Sequence, residues 1–87
     1  MFTGSLPAAI GDLTELQVLI LNDNNFSGPI PSEIGRLKNL QYLGLFNNDF
    51  TGTVSSELCD ITDNYGGFLQ SLLVDCDKVE CSCCTLC

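Results

Sequence analysis

Leu16-Gln17-Val18-Leu19-Ile20-Leu21-Asn22-Asp23-Asn24 is answered, twenty-four residues on, by Leu40-Gln41-Tyr42-Leu43-Gly44-Leu45-Phe46-Asn47-Asn48. Every leucine and the closing asparagine fall in the same places. The flanks repeat as well: Phe2-Thr3-Gly4-Ser5-Leu6-Pro7 returns as Phe26-Ser27-Gly28-Pro29-Ile30-Pro31 and more loosely as Phe50-Thr51-Gly52-Thr53-Val54-Ser55. A fixed period with identical apolar spacing is the signature of a repeat solenoid. The class expected is therefore α/β, with short parallel strands on a concave face and 3-10 or short helical turns on a convex one.

Leu19 and Leu21, like Leu43 and Leu45, lie two apart, as a strand with one buried face requires. Asn24 and Asn48 close the strands. Asn is seldom buried without partners, and a stacked column of its side chains satisfies the backbone groups freed where each coil turns. Gly28 and Gly52 read as turn residues, and Pro29 or Pro31 as an extended segment outside any central ladder. Ala8–Leu13 and Ser32–Leu37 read as one or two short helical turns that point Ile10, Leu13, Ile34 and Leu37 into the core. A third strand is expected over Leu69–Asp75, with Leu69, Leu72 and Val74 inward and Asp77 where the asparagine would fall. The connection leading to it is five residues longer, through an Asp60–Gly67 stretch whose composition reads as an exposed loop.

The whole chain of 87 residues is one domain at most. Its formal charge of -8 repels phosphate backbones and anionic lipid, which argues against nucleic-acid and membrane-surface binding. No histidine is present to act as a base or metal ligand. No apolar run approaches the roughly eighteen residues that span a bilayer, and Met1–Gly4 lacks the layout of a signal peptide. The N-terminus enters the middle of a repeat without a capping unit. The reading favoured is the C-terminal piece of a longer chain, since a minimal protein would leave Leu6, Ile10 and Leu13 facing water.

These residues resemble the leucine-rich-repeat family in its plant-type form. Asn24-Asn25-Phe26-Ser27-Gly28-Pro29-Ile30-Pro31-Ser32-Glu33-Ile34-Gly35 follows that subclass at each defined position, and the resemblance covers roughly residues 2 to 58. Val79-Glu80-Cys81-Ser82-Cys83-Cys84-Thr85-Leu86-Cys87 is similar to the C-terminal cap of secreted or membrane-anchored leucine-rich-repeat proteins of microalgae, and differs from the two-plus-two cysteine caps of land-plant receptors. The organisation expected is repeats over 1–58 and an atypical last repeat with a cysteine-rich cap over 59–87. The resemblance implies a binding module, part of a secreted or receptor-like protein at the cell surface.

Strand positions not needed for the core are candidates for the ligand face: Gln17, Val18, Ile20, Gln41, Tyr42, Phe46, Gln70 and Leu73. Exposed Ile20, Tyr42, Phe46 and Leu73 would form an amphipathic patch suited to a peptide or protein. Asp60 with Asp63, and Asp75 with Asp77, are carboxylate pairs without a nucleophile, a base or a phosphate loop, and read as a solvated acidic rim. The Asp60–Asn64 oxygens miss EF-hand spacing. No catalysis and no cofactor are expected. Asn25-Phe26-Ser27 is an N-glycosylation sequon, meaningful only in a secreted chain.

Six cysteines remain: Cys59, Cys76, Cys81, Cys83, Cys84 and Cys87. An even number crowded behind the last strand reads as a disulfide cap in an oxidising compartment. Cys59 is paired in this reading with Cys76 across the long loop, and adjacent Cys83 and Cys84 take different partners. The rival is a small intracellular protein holding zinc on Cys76, Cys81, Cys83 or Cys84, and Cys87, where Cys84 and Cys87 have the common two-residue spacing. A truncated product without independent function is a third reading.

Overall fold

The computed structural model describes residues 3–85. Seven strands run along the chain: β1 (Thr3–Gly4), β2 (Val18–Ile20), β3 (Asn25–Pro29), β4 (Tyr42–Gly44), β5 (Asp49–Thr53), β6 (Ser71–Leu73) and β7 (Val79–Glu80). They form two all-parallel sheets, one ordered β2-β4-β6 and the other β1-β3-β5-β7. The convex layer consists of 3-10 turns over Ala8–Asp12 and Ser32–Arg36, and of a single α-helical turn, α1 (Ser56–Cys59), whose start is capped by the Ser55 side chain accepting from Leu58 N.

The first sheet keeps the period of the sequence. Val18, Leu19 and Ile20 face Tyr42, Leu43 and Gly44, which in turn face Ser71, Leu72 and Leu73. The second sheet is a departure from expectation: the Phe-Ser/Thr-Gly segments are strands, not turns. Gly28 and Gly52 sit inside β3 and β5 with φ of 79° and 85°, a conformation that an L side chain resists. Pro29 joins the ladder opposite Thr51 although it has no N–H to donate. Phe26 and Phe50 stack beneath, ring centroids 6.0 Å apart. Pairing here is sheared: Thr3 faces Asn25 and Ser27 faces Asp49, two residues short of the repeat.

Between the layers lies a core whose fully buried members are Ile34, Leu37, Leu40, Leu43, Leu45, Leu58, Leu69 and Leu72. In the first coil Leu6 is buried and Ile10, Leu16, Leu19 and Leu21 are partly so. Leu13 is not in the core, contrary to the sequence reading: it is 54% exposed, because a coil packs against its turn on one side only. The convex turns approach closely at Gly35. A Cβ there would stand 2.6 Å from the Glu57 carbonyl oxygen, and Gly11 stands in the same relation to Glu33. The Ile-Gly of each repeat is thus a spacing device.

Asn48 is the bond between coils. Only 3% exposed, its Nδ2 donates to Leu21 O (2.9 Å), Leu45 O (3.1 Å) and Phe46 O (3.2 Å), and its Oδ1 accepts from Phe26 N (3.1 Å). Asn24, half buried, donates to Leu21 O and Asn22 O. Asp77 does not continue the column; it is exposed. Two residues earlier, Asp75 accepts from the backbone N–H groups of Asn47 and Asn48.

The five inserted residues close on themselves. Asp63 N donates to Leu69 O, Leu69 N to Ile61 O and Gly67 N to Thr62 O, while Thr62 Oγ1, buried, donates to Cys59 O at 2.6 Å. Ile61 and Thr62 are therefore anchored inside, while the tip, Asp63–Gly66, and Phe68 beyond it are exposed. The tail then covers the open end. β7 completes the second sheet, and Thr85 covers the edge of β6: its N donates to Leu72 O and its Oγ1 accepts from Leu72 N.

Disulfides hold this tail. Cys59 joins Cys83, tying α1 to the cap, and Cys81 joins Cys84. The expected Cys59–Cys76 bridge is overturned, because the tail folds back over the coil end and brings Cys83 to α1. Cys76 is also disulfide-bonded; Cys87 lies outside the described residues. Adjacent Cys83 and Cys84 do take different partners. With Cys76, Cys81, Cys83 and Cys84 oxidised, the thiolate set required by the zinc reading does not exist.

Replacing Asn48 by Leu keeps the volume but takes the Asn48 partner from Phe26 N and Leu45 O, each at about 1–3 kcal/mol, while Leu21 O keeps Asn24 Nδ2 and Phe46 O keeps Asp23 N. Chemical denaturation should show a loss of at least about 2 kcal/mol, against a smaller loss for Asn24→Leu; an Asn48→Leu variant as stable as the parent would refute the assignment. For the cap, chain-entropy arguments give about 3 kcal/mol for the long Cys59–Cys83 loop and about 2 kcal/mol for the short Cys81–Cys84 loop. The Cys59→Ser/Cys83→Ser pair should therefore melt earlier than Cys81→Ser/Cys84→Ser, and a non-reducing peptide map should recover Cys59 linked to Cys83 and not to Cys76.

Candidate functional site

β2, β4 and β6 set the candidate face. Their inward residues Leu19, Leu43 and Leu72 belong to the core, so the alternate positions point away from it. The register stacks Val18 beside Tyr42 and Ser71, and Ile20 beside Gly44 and Leu73. Just before the strands, Gln17 O accepts from Gln41 N and Tyr42 N, and Gln41 O from Gln70 N and Ser71 N, which stacks three exposed glutamines in one column. Val18 and Ile20 are 52% and 61% exposed. Tyr42, Phe46 and Leu73 are half buried, less open than the sequence reading has them. Gly44 explains part of this. A Cβ on it would meet Asn22 Oδ1 at 2.7 Å and Tyr42 Cε1 at 3.1 Å, so both neighbours lean into the space that glycine leaves. Asn22 Oδ1 is enclosed and has no hydrogen-bond partner.

Beyond the C-terminal ends of these strands lies a polar depression of about 330 Å³, lined by Asn24, Asn25, Asn47, Asn48, Asp49, Asp75, Asp77 and Lys78. Its carboxylates are not equivalent. Asp75 is occupied by the two backbone N–H groups, and Asp49 by Lys78 Nζ at 3.0 Å. Asp77 is exposed, and Asp23, outside the lining, accepts from Asn47 Nδ2 at 2.7 Å. Lys78 Nζ also donates to Asn48 O. Its pKa is raised above 10.5, first by the Asp49 hydrogen bond, then against partial desolvation by the charges of Asp49, Asp75 and Asp77. The ammonium form of Lys78, the form that makes the bridge, is thereby favoured.

The carboxylate pairs named from sequence do not assemble into a dyad. Asp60 and Asp63 are both exposed around the inserted loop, and Asp75 is committed to backbone. Among the described residues no three His, Cys, Asp or Glu side chains are placed to hold a metal ion, and no helix is long and apolar enough to cross a membrane. Asn25 of the sequon is exposed at the start of β3. Sequence reasoning missed the Lys78 bridge between the last two coils, the use of Asp75, and the exposure of Phe68 just past the Asp60–Gly67 loop. Lys78 stood out as the lone cation in the acidic tail, and that contrast was the available signal.

Residues 15–37 and 39–61 each match the family model described as Leucine Rich Repeat, together more than half of the chain. The chain belongs to the leucine-rich-repeat family, in its plant-type form with a disulfide-bonded C-terminal cap. No curated protein sequence matches it as a relative. Among solved structures it is similar to the plant peptide hormone receptor RGFR1 in complex with RGF2, with 48% identity over 67% of this chain and 9% of that one, at a TM-score of 0.65. It is similar to the Arabidopsis receptor kinase HAESA, solved with the peptide hormone IDA and the co-receptor SERK1, with 28% identity over 88% of this chain and 12% of that one, at a TM-score of 0.75. A plant ice-binding protein is a further match, with 29% identity, 91% and 23% coverage and a TM-score of 0.64. The chain spans about a tenth of the length of the two receptors.

Proposed function

We propose that this chain is a peptide- or protein-binding module and not an enzyme, that its ligand lies on the face of β2, β4 and β6, and that it works outside the cell in a secreted or receptor-like protein. The observation that carries the reading is that face itself. Ile20 and Val18 are more than half exposed on a rigid parallel sheet, beside half-buried Tyr42, Phe46 and Leu73. Apolar and aromatic groups held by backbone ladders bury area on a ligand at little entropic cost. Gln17, Gln41 and Gln70 border the strip with amide donors and acceptors suited to an extended backbone. Two of the similar receptors were solved with peptides. The disulfides suit an oxidising compartment, where the Asn25 sequon would be open to glycosylation.

Panning a random peptide library against the oxidised protein tests this reading. Peptides should be recovered that are lost on Val18→Asp/Ile20→Asp, a variant whose two sites are exposed enough to leave stability within about 0.5 kcal/mol. Convex Lys38→Ala should retain them. Peptides that bind the Val18/Ile20 variant as well as the parent would place the site elsewhere.

The other sheet supports a second reading. Its outward residues carry hydroxyls coil after coil, Thr3 and Ser5, then Ser27, then Thr51 and Thr53, all exposed over the buried Phe26 and Phe50. Across the ladder these hydroxyls alternate with other side chains, Thr3 beside Asn25, Ser27 beside Asp49 and Thr51 beside Pro29, a mixed row at the strand spacing of about 4.8 Å that offers exposed groups to water at an ice surface. Ice-recrystallisation inhibition should then appear at micromolar protein and disappear in Thr51→Lys/Thr53→Lys. Activity equal in parent and variant, or absent in both, removes the reading.

A further inference from the structure

The concave face also differs from its surroundings in charge. Over the three strands and their flanks, residues 17–23, 41–47 and 70–77, the charged residues are Asp23, Asp75 and Asp77, with no lysine or arginine. Of the chain's three cations, two lie on the convex side and the third, Lys78, lines the depression at the strand ends. Arg36 ends a convex turn and Lys38 follows it, while Lys78 is held by Asp49 and by the carbonyl of Asn48. Apolar Ile20, Tyr42, Phe46 and Leu73 thus lead, along the strand direction, into a depression whose three carboxylates, Asp49, Asp75 and Asp77, outnumber its one ammonium, Lys78, which is paired with Asp49.

From this we infer that the ligand is a cationic, extended peptide, carrying Lys or Arg within two or three residues of an apolar side chain. The inference rests on the reading of the concave face as peptide-binding and adds the sign of the ligand's charge. A strand step of about 3.3 Å makes two or three residues enough to pass from the column of Ile20 and Leu73 to the depression beyond the strand ends. A basic group arriving there meets carboxylates of an acidic protein in a concave surface, where like-signed charges sum. An acidic or phosphorylated peptide meets the opposite situation, since the one cation there, Lys78, is already paired with Asp49 and the carboxylates in excess repel it.

Three eight-residue peptides, acetylated and amidated, separate these cases. They share alternating Phe and Leu and differ only in placing Lys, Gln or Glu between them. Titrated against the oxidised 87-residue protein, the Lys peptide should bind at least about ten-fold tighter than the Gln peptide, and the Glu peptide should not bind. Its affinity should fall several-fold between 50 mM and 500 mM salt, as exposed charges become screened. Asp23→Asn/Asp77→Asn should weaken the Lys peptide about five-fold and leave the Gln peptide unchanged. Asn suits the left-handed backbone at Asp23, φ 62°, and keeps an acceptor for Asn47 Nδ2, so the variant retains its fold. Gln or Glu peptides binding as tightly as the Lys peptide would overturn the inference while leaving the peptide-binding reading intact. Binding of none of the three would overturn it too, and library panning then decides the reading beneath it.

Discussion

Every coil of this protein must leave its strand, and at that corner backbone groups lose their ladder partners. The Asn48 side chain answers the problem with four hydrogen bonds, two of them to the preceding coil. A buried carbonyl or N–H without a partner costs as much as several well-packed methyl groups gain, so the corner cannot be left to packing. Once Leu21 O and Phe26 N are fixed to Asn48, the spacing of consecutive coils is set. Leu43 then falls between Leu19 and Leu72, and the outward columns line up into one surface.

The other constraint is thickness. Two sheets and a convex layer enclose a single row of side chains, and Gly35 lets neighbouring convex turns come together at the same pitch as the strands. Where the chain departs from the repeat, it does so outside this frame. The inserted loop takes up five residues before β6 and returns the strand in register, with buried Thr62 as its clasp. At the last coil no asparagine is available, and Asp75, Lys78 and Thr85 divide its work among a carboxylate, an ammonium and a hydroxyl.

The strands of the first sheet, the convex turns and the shared core were legible from leucine spacing, because period-two burial and a 24-residue repeat admit few other arrangements. The second sheet was not. Gly28 and Pro29 read locally as turn residues, yet the neighbouring coil supplies pairing partners that no local rule contains. The same limit explains Cys59. Its partner was sought across the nearest loop, whereas the choice depends on how the tail folds back over the coil end, a tertiary matter. The outward columns of the candidate face could be named from alternation, but not the half burial of Tyr42, which follows from Gly44 making room for it.

The Cys59–Cys83 bond has a mechanical meaning. A pull on the tail past Cys83 reaches α1 through sulfur, so the chain between 60 and 82 carries none of the load. That segment holds the whole of β6 and the inserted loop, and about 75 Å of contour length is withheld from extension. Force entering from the C-terminal side is delivered instead to the second coil and its neighbours, whose ladders lie across the stack. The last coil behaves as a rigid anchor plate, and rupture starts in the coils farther from the bond.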